Sequence, residues 1–391
     1  MARRTSGNLR EPVAASPRRN CVRMGVIGLG NMGTTHARDL LEGKIPRAEL
    51  TAVCSRDVSG FAAHPSVKSY TKSEELIRSG AVDAVLIATP HFSHTAIGID
   101  ALEHGLHVLV EKPISVHKLD CERLLAAHTD ERQVFAAMFN QRTDPFFKKI
   151  RQLVRDGDLG QIRRINWVVT NWFRTEAYYG GWRATWAGEG GGVLLNQCAH
   201  NLDLFQWIFG MPRHIRAFCG LGHYHDIEAE DDVTAYMEFA NGATAVLITS
   251  TGEAPGSNRL EIAGESGRLV YENDELLFTR NEMEMTAFSR SSTDGFAAPK
   301  TRTVPISLSG HGGQHHEILT NFVEAVLDGS PLIAPAVEGI HSVELANAIL
   351  FSSLQKKTIS LPLDGYAYSR KLKQLIASSS KAPKKRRSAR R

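Results

Sequence analysis

The segment VRMGVIG at 22–28 runs directly into GLGNMG, so Gly28, Gly30 and Gly33 stand in G-x-G-x-x-G spacing where an apolar run gives way to TTHARDLLEG. The run reads as a buried strand and its continuation as a helix. In that context the first glycine permits a tight turn and the second lets the backbone approach a pyrophosphate. The third lets helix and strand pack closely, and the helix N-terminus faces the anion. Strand and helix patterns keep alternating: AELTAVC (48–54), VDAVLIATP (82–90) with SHTAIGIDALEHG after it, LHVLVEKP (106–113) with a helix at about 115–127, and QVFAAMF (133–139). Such alternation predicts a parallel, doubly wound α/β sheet, a dinucleotide-binding domain over 22–144.

The strand at 48–54 ends in Cys54-Ser55-Arg56-Asp57. A carboxylate at this point accepts hydrogen bonds from ribose hydroxyls and repels a 2′-phosphate, whereas Ser and Arg welcome one. Ser55 and Arg56 therefore favour NADP over NAD, with Asp57 leaving NAD within reach.

Beyond about residue 145 the pattern changes to longer strands and grouped helices. IRRINWVVTNWF (162–173) reads as a long strand. Residues 231–250 read as a hairpin turning at Asn241-Gly242, and 259–273 as another turning at Glu265-Ser266-Gly267. Helices are expected at about 313–329 and 336–355, and the polar stretch 283–303 as a loop. The expectation for 145–378 is an α+β domain with a large, mainly antiparallel open sheet.

A length of 391 residues suits two domains. The first 23 residues carry six Arg and one Glu, and 381–391 carry seven Lys or Arg and no acid, yet the net charge is only +4. The body between is therefore acidic, which disfavours a nucleic-acid enzyme. The ends, 1–21 and 379–391, read as disordered, solvated tails, with a localisation signal or nucleic-acid tether as the sharper reading of the last run. Five scattered cysteines with no CxxC point to a reducing cytoplasm and away from a disulfide frame or zinc finger. No apolar run approaches the ~20 residues of a membrane span, and the basic N-terminus lacks the apolar core of a secretory signal.

GLGNMG, ATPHFSH (88–94), ALEHGLHVLVEKP (101–113) and GEGGGVLLNQCAHNLD (188–203), in this order, resemble the Gfo/Idh/MocA oxidoreductases over about residues 22–375. The resemblance implies a Rossmann-type N-terminal domain holding NAD or NADP and hydride transfer at a carbon of a sugar, glycoside or cyclitol. It also implies homodimers or homotetramers built through the open face of the C-terminal sheet. It places cofactor contacts at Gly28, Gly30, Asn31, Met32, Gly33, Ser55, Arg56, Thr89, Pro90, His94, Glu111 and Lys112.

Lys112 ends a parallel strand, where ligands bind in such sheets. Beside an oxidised nicotinamide its pKa should fall, fitting it as base or as donor to a developing oxyanion. Asn196 and His200 are four apart, which on one helix puts them on one face. The family has an acid at the first of these positions and His at the second. An amide takes no proton as a base, so proton transfer falls to His200, Lys112 or both. Asp203 is expected to orient His200 or to bond nearby backbone. The aromatic, arginine-rich stretch 171–186 offers Arg174, Tyr178, Tyr179, Trp182 and Trp186 as a substrate wall. His311, His315, His316 and Glu317, like His223, His225 and Asp226, invite a metal reading, but their spacing is loose and the family needs none. Two further functions stay open: an NAD-dependent glycosidase or lyase that oxidises its sugar transiently, and a non-enzymatic cofactor-binding regulator.

Overall fold

Val22, Met24, Val26 and Ile27 are all buried, which makes β1 (Val22–Ile27) the central strand its composition calls for. A computed structural model describes residues 20–61 and 64–379; of the runs read above as tails, 1–19 and 380–391 lie outside the described residues, whereas Asn20 and Cys21 lead into β1 and Ser379 ends the last helix. After β1 come α1 (Asn31–Leu41), β2 (Ala48–Cys54), β3 (Lys68–Tyr70), α2 (Ser73–Ile77), β4 (Ala84–Ile87), α3 (His91–Glu103), β5 (His107–Val110), α4 (Lys118–Ala126) and β6 (Phe135–Ala137). The six strands form one parallel sheet in the order β3-β2-β1-β4-β5-β6. The order reverses beside β1, leaving a crevice at the strands' carboxyl ends.

A 3-10 turn, Asn140–Thr143, leads into α5 (Pro145–Arg155), β7 (Ile162–Val169), α6 (Ala199–Phe209), β8 (His214–Leu221), β9 (Glu230–Glu238), β10 (Thr244–Ser250), β11 (Asn258–Gly264), β12 (Gly267–Glu272), β13 (Glu275–Asn281), α7 (Met285–Ser291) and β14 (Thr301–Pro305). The chain closes with α8 (Gln314–Asp328), α9 (Ala336–Gln355), β15 (Ile359–Ser360) and α10 (Gly365–Ser379). The second sheet runs β14-β13-β12-β11-β7-β10-β9-β8-β15. Its pairs are antiparallel except β7 with β10. Both expected hairpins occur, β9–β10 and β11–β12. One sheet face carries the second hydrophobic core, packed under α5, α6 and α9. Ile318, Leu319, Phe322 and Val323 of α8 and Val343 of α9 pack instead into the core around the parallel sheet. No described helix is long and apolar enough to cross a membrane.

Two local expectations are corrected. The strand predicted to reach residue 173 ends at Val169, and 283–303 is not simply loop, since it holds α7 and the start of β14. Every residue of β14 is exposed, so this edge strand has no alternating apolar pattern to announce it.

Gly33 fixes the nucleotide-binding turn. A Cβ there would lie 1.8 Å from the Gly28 carbonyl oxygen, so α1 reaches β1 only because this side chain is absent. Gly33→Ala is expected to push the Gly28–Gly30 turn aside and to weaken NADPH binding by about tenfold or more, roughly 1.4 kcal/mol. Fluorescence titration of NADPH checks this; unchanged affinity would remove Gly33 from the argument.

Candidate active site

A cleft of about 850 Å³ opens at the carboxyl ends of β1, β4 and β5. Gly28, Gly30, Asn31 and Met32 line one end, with Ser55, Arg56, Thr89, Pro90 and His94 beside them. Glu111 and Lys112 stand at the centre, and Tyr178, Trp182, Arg183, Glu189 and Asn196 come in from the second domain. Gly33 lies beneath the turn rather than in the cleft.

The nucleotide end fits a dinucleotide. A Cβ on Gly30 would meet nothing within 4 Å, so the space above the turn is open to a ligand. Helix α1 is capped by Gly30, with no side-chain cap bond and no acid in its first turn, leaving its N-terminal N–H groups for an anion. Arg56 is exposed and, among the described residues, pairs with no carboxylate. Asp57 instead accepts from its neighbour Ser59 N at 2.9 Å and does not line the cleft. His94 is buried between two carbonyls, Pro113 O at 2.9 Å and Thr89 O at 2.7 Å, tying the β4 loop to the EKP loop.

The central groups sit at the seam between the domains. Lys112 Nζ donates to Asn196 O at 3.0 Å. Burial, with Arg174 adding to it, holds the Lys112 amine below its ordinary pKa, while Glu111 and Glu189 pull the other way. Glu111 bonds His36 Nε2 at 2.8 Å. Burial raises the Glu111 carboxyl, but His36, Lys112 and His315 outweigh it and hold it low. Asn196 Nδ2 donates to Glu189 Oε1 at 2.5 Å and to Tyr178 Oη at 3.1 Å. Gln197 Nε2 also donates to Tyr178 Oη, at 3.2 Å. With both lone pairs of that oxygen engaged, its own O–H is free to donate elsewhere.

Several predicted residues stand elsewhere. Asn196 and His200 do not share a helix: α6 begins only at Ala199, and Asn196 lies in the turns before it. The glycine run does not open the helix because Gly192 is pressed against β9, where a Cβ would lie 2.0 Å from Glu230 O. The glycines thus serve packing between protein segments, not a close ligand approach. His200 is not among the residues that line the cleft, but it lies at the seam within electrostatic reach of Lys112. It is half-buried, its Nδ1 has no partner, and its ring stands edge-on to Phe139. Burial, then Lys112 and His315, push its pKa well below the ordinary value. Trp186 is 4% exposed and belongs to the second core, not to a substrate wall. Arg174 points back to the carbonyls of Trp172 and Phe173 and stacks over Tyr178 at 5.0 Å. Tyr179 bonds Thr251 Oγ1 at 2.7 Å, away from the cleft lining. Asp203 does not orient His200; it bonds Arg142 at 2.7 and 2.8 Å.

Sequence reasoning missed Glu189, Arg183, His91 and Thr71, all in the lining. The one available signal was Glu189, a lone acid inside a run of glycines and apolar residues. Among the described residues, no three His, Cys, Asp or Glu converge as metal ligands. His316 bonds Asp39 and His225 bonds Asp231 instead.

Residues 22–139 match the family model of an oxidoreductase family with an NAD-binding Rossmann fold, and 147–270 that of the GFO/IDH/MocA C-terminal domain. The chain belongs to the Gfo/Idh/MocA oxidoreductase family. As a member it is a nicotinamide-dependent oxidoreductase. Its relatives within the Gfo/Idh/MocA family include myo-inositol 2-dehydrogenase of Thermotoga maritima, 26% identical over 87% of this chain and 98% of that one. Another is the NADP-linked scyllo-inositol 2-dehydrogenase of Bacillus subtilis, 24% identical over 87% and 96%. The fold matches that of the WlbA dehydrogenase of Bordetella pertussis, solved with NADH and UDP-GlcNAcA, at a TM-score of 0.74 and 23% identity over 88% of this chain and 100% of that one.

Proposed function

We propose that this protein interconverts a secondary alcohol and a ketone on a sugar, glycoside or cyclitol, with NADP preferred over NAD. The observation that carries the reading is Lys112. Its amine is held at the domain seam, between the nucleotide turn and the polar groups of the second domain, with its pKa lowered by burial. The inositol dehydrogenases among its relatives support a polyhydroxylated ring as substrate.

In the open part of the cleft, Tyr178 and Arg183 present donors to hydroxyl edges and Trp182, 37% exposed, presents a flat apolar face to ring C–H groups. Lys112 binds the reacting oxygen and handles its proton. His200, neutral because its pKa is depressed, serves as a hydrogen-bond partner rather than a base. When bound, the nicotinamide exchanges a hydride with the carbon that bears this oxygen. The nucleotide is held by the α1 N-terminus, the Gly28–Gly30 turn, Ser55 and Arg56. Homodimers or homotetramers would form through the open face of the second sheet, where Phe218 and Tyr236 are exposed.

Arg56→Ala is expected to raise the KM for NADP by about tenfold, at the low end for a charge-assisted hydrogen bond to phosphate, and to leave that for NAD nearly unchanged. Equal effects on both, or a wild-type preference for NAD, would sink the NADP assignment. The substrate reading is tested by following reduced-cofactor formation with myo-inositol, scyllo-inositol, D-glucose, levoglucosan and methyl β-D-glucoside. At least one is expected to give turnover. Cleaved aglycone without accumulating NADPH would instead favour the redox-neutral glycosidase.

A further inference from the structure

We propose that Glu189 is a catalytic residue of this site: it supplies the carboxyl group that position 196 lacks and, with Lys112, carries the proton of the reacting hydroxyl. The proposal rests on the alcohol–ketone reading above.

The geometry places the carboxyl beside the amide that stands where the family has an acid. Glu189 Oε1 accepts from Asn196 Nδ2 at 2.5 Å, and Oε2 accepts from Ala184 N at 2.6 Å. Each oxygen keeps a further lone pair. The side chain lines the cleft together with Lys112, Tyr178 and Asn196, yet the residue is only 1% exposed. The glycines around it set the loop against β9 and bring this acid to the seam.

A buried carboxyl is costly unless it is paired. Other buried acids here have cations or imidazoles: Glu344 bonds Lys118, Asp203 bonds Arg142 and Glu111 bonds His36. Among the described residues Glu189 has no such ion pair, and Lys112 and Arg183 act on it only through space. A glutamine here would keep only one of these two acceptances unless the Asn196 amide turned its oxygen toward the new NH2. Glu230 shares the lack of a cation, but it is walled off behind Gly192 and Leu194, whose N–H groups it accepts, and does not line the cleft.

The groups facing Glu189 are Lys112, Arg183, the Tyr178 hydroxyl, the Asn196 amide and the His91 ring, which bonds its backbone. Burial dominates this balance and pushes the carboxyl up to about 7, where it exchanges protons readily at neutral pH. In the oxidative direction the substrate O–H bond breaks. Lys112 takes that proton and passes one of its own, through a water in the cleft that both groups line, to the Glu189 carboxylate, which becomes the carboxylic acid. The carbon gives its hydrogen and two electrons to the oxidised nicotinamide, and the alcohol becomes a ketone. Solvent later removes the proton from Glu189. Reduction runs the same steps backwards.

The contact between Glu189 and Asn196 permits a test by exchange. Glu189→Gln is expected to lower kcat at least ~100-fold for the fastest polyol of the panel above, to flatten the pH profile near 7, and to leave NADPH affinity unchanged. The double variant Glu189→Gln/Asn196→Asp restores an acid–amide pair with the acid moved to the other partner, and is expected to recover at least ~10-fold of the loss. Wild-type kcat in the single variant, or a double variant no faster than the single, would overturn the proposal. The substrate-free protein gives an independent readout. The infrared band of a protonated carboxyl should fade as pH rises through about 7 in the wild type and lose part of its amplitude in Glu189→Gln, with Glu230 contributing the remainder. Identical difference spectra would overturn the proposal. If no polyol reacts with the wild type, it is the substrate reading that fails, and the infrared comparison still decides for or against Glu189.

Discussion

Lys112→Met is expected to lower kcat by ~100-fold to ~10,000-fold, the range for losing a positioned acid–base group. The methionine keeps most of the stem volume and packs in the same channel. What disappears is the amine that donates to Asn196 O at 3.0 Å and that faces Glu111 and Glu189. The backbone of Asn196 loses one hydrogen bond, worth about 1 kcal/mol, which does not unfold a two-domain protein. NADPH affinity should therefore stay within about threefold of wild type, less than 1 kcal/mol, because the Gly28–Gly30 turn and Arg56 are untouched. Loss of kcat with retained binding separates chemistry from folding. Near wild-type kcat would remove Lys112 from the reaction.

Arg142→Met is expected to destabilise the fold by about 3–5 kcal/mol, the cost of stranding a buried charge. Arg142 is 0% exposed and lies in the 3-10 turn that leads from the first domain into the second. It holds Asp203 of α6 through two bonds, reaches Ile333 O at 3.2 Å and bonds Glu338 of α9, with the Phe139 and Trp207 rings against it. Without it Asp203 keeps only Gln206 Nε2 at 3.1 Å. Burial already works to raise the Asp203 carboxyl, and loss of the guanidinium leaves only the Gln206 hydrogen bond against that push. The double variant Arg142→Met/Asp203→Leu should recover most of the loss, since it strands no charge in the core. Urea unfolding at neutral pH reads both. A single variant as stable as wild type would show that the pair does not bind the domains together. Because His200 lies three residues before Asp203 on α6, the single variant should also lower activity by shifting that helix.

The parallel sheet was legible because its evidence is local. Each strand of the first domain is a short apolar run, and the glycine motif sits on one strand–turn–helix unit. The hairpins β9–β10 and β11–β12 were legible for the same reason, each carrying its own turn. The parallel pairing of β7 with β10 was not, because nothing in either segment names its neighbour. Strand polarity placed Lys112 at the carboxyl end of a parallel strand, and the resemblance of its EKP segment to the family singled it out there.

The second half of the site resisted for a reason that a linear pattern cannot hold. Spacing of four links Asn196 to His200 only if a helix covers both, and contact between Gly192 and β9 prevents that. Trp186 lies in an aromatic stretch that divides between a wall and a core: Trp182 stays at the cleft while Trp186 turns inward. Asp203 was paired in sequence with its neighbour His200, but its real partner, Arg142, is 61 residues away. The acid missing at 196 is present in space seven positions earlier, at Glu189.

The central claim is that this cleft moves a hydride between a polyol carbon and a nicotinamide. It is tested most directly by incubating the enzyme and NADP with myo-inositol or another panel polyol deuterated at its carbinol carbons, and weighing both products. The account predicts one deuterium in the reduced cofactor for each ketone formed, with Lys112→Met forming neither at a comparable rate. Ketone formed without deuterium in the cofactor, or a cofactor that binds and is never reduced by any polyol of the panel, would contradict it.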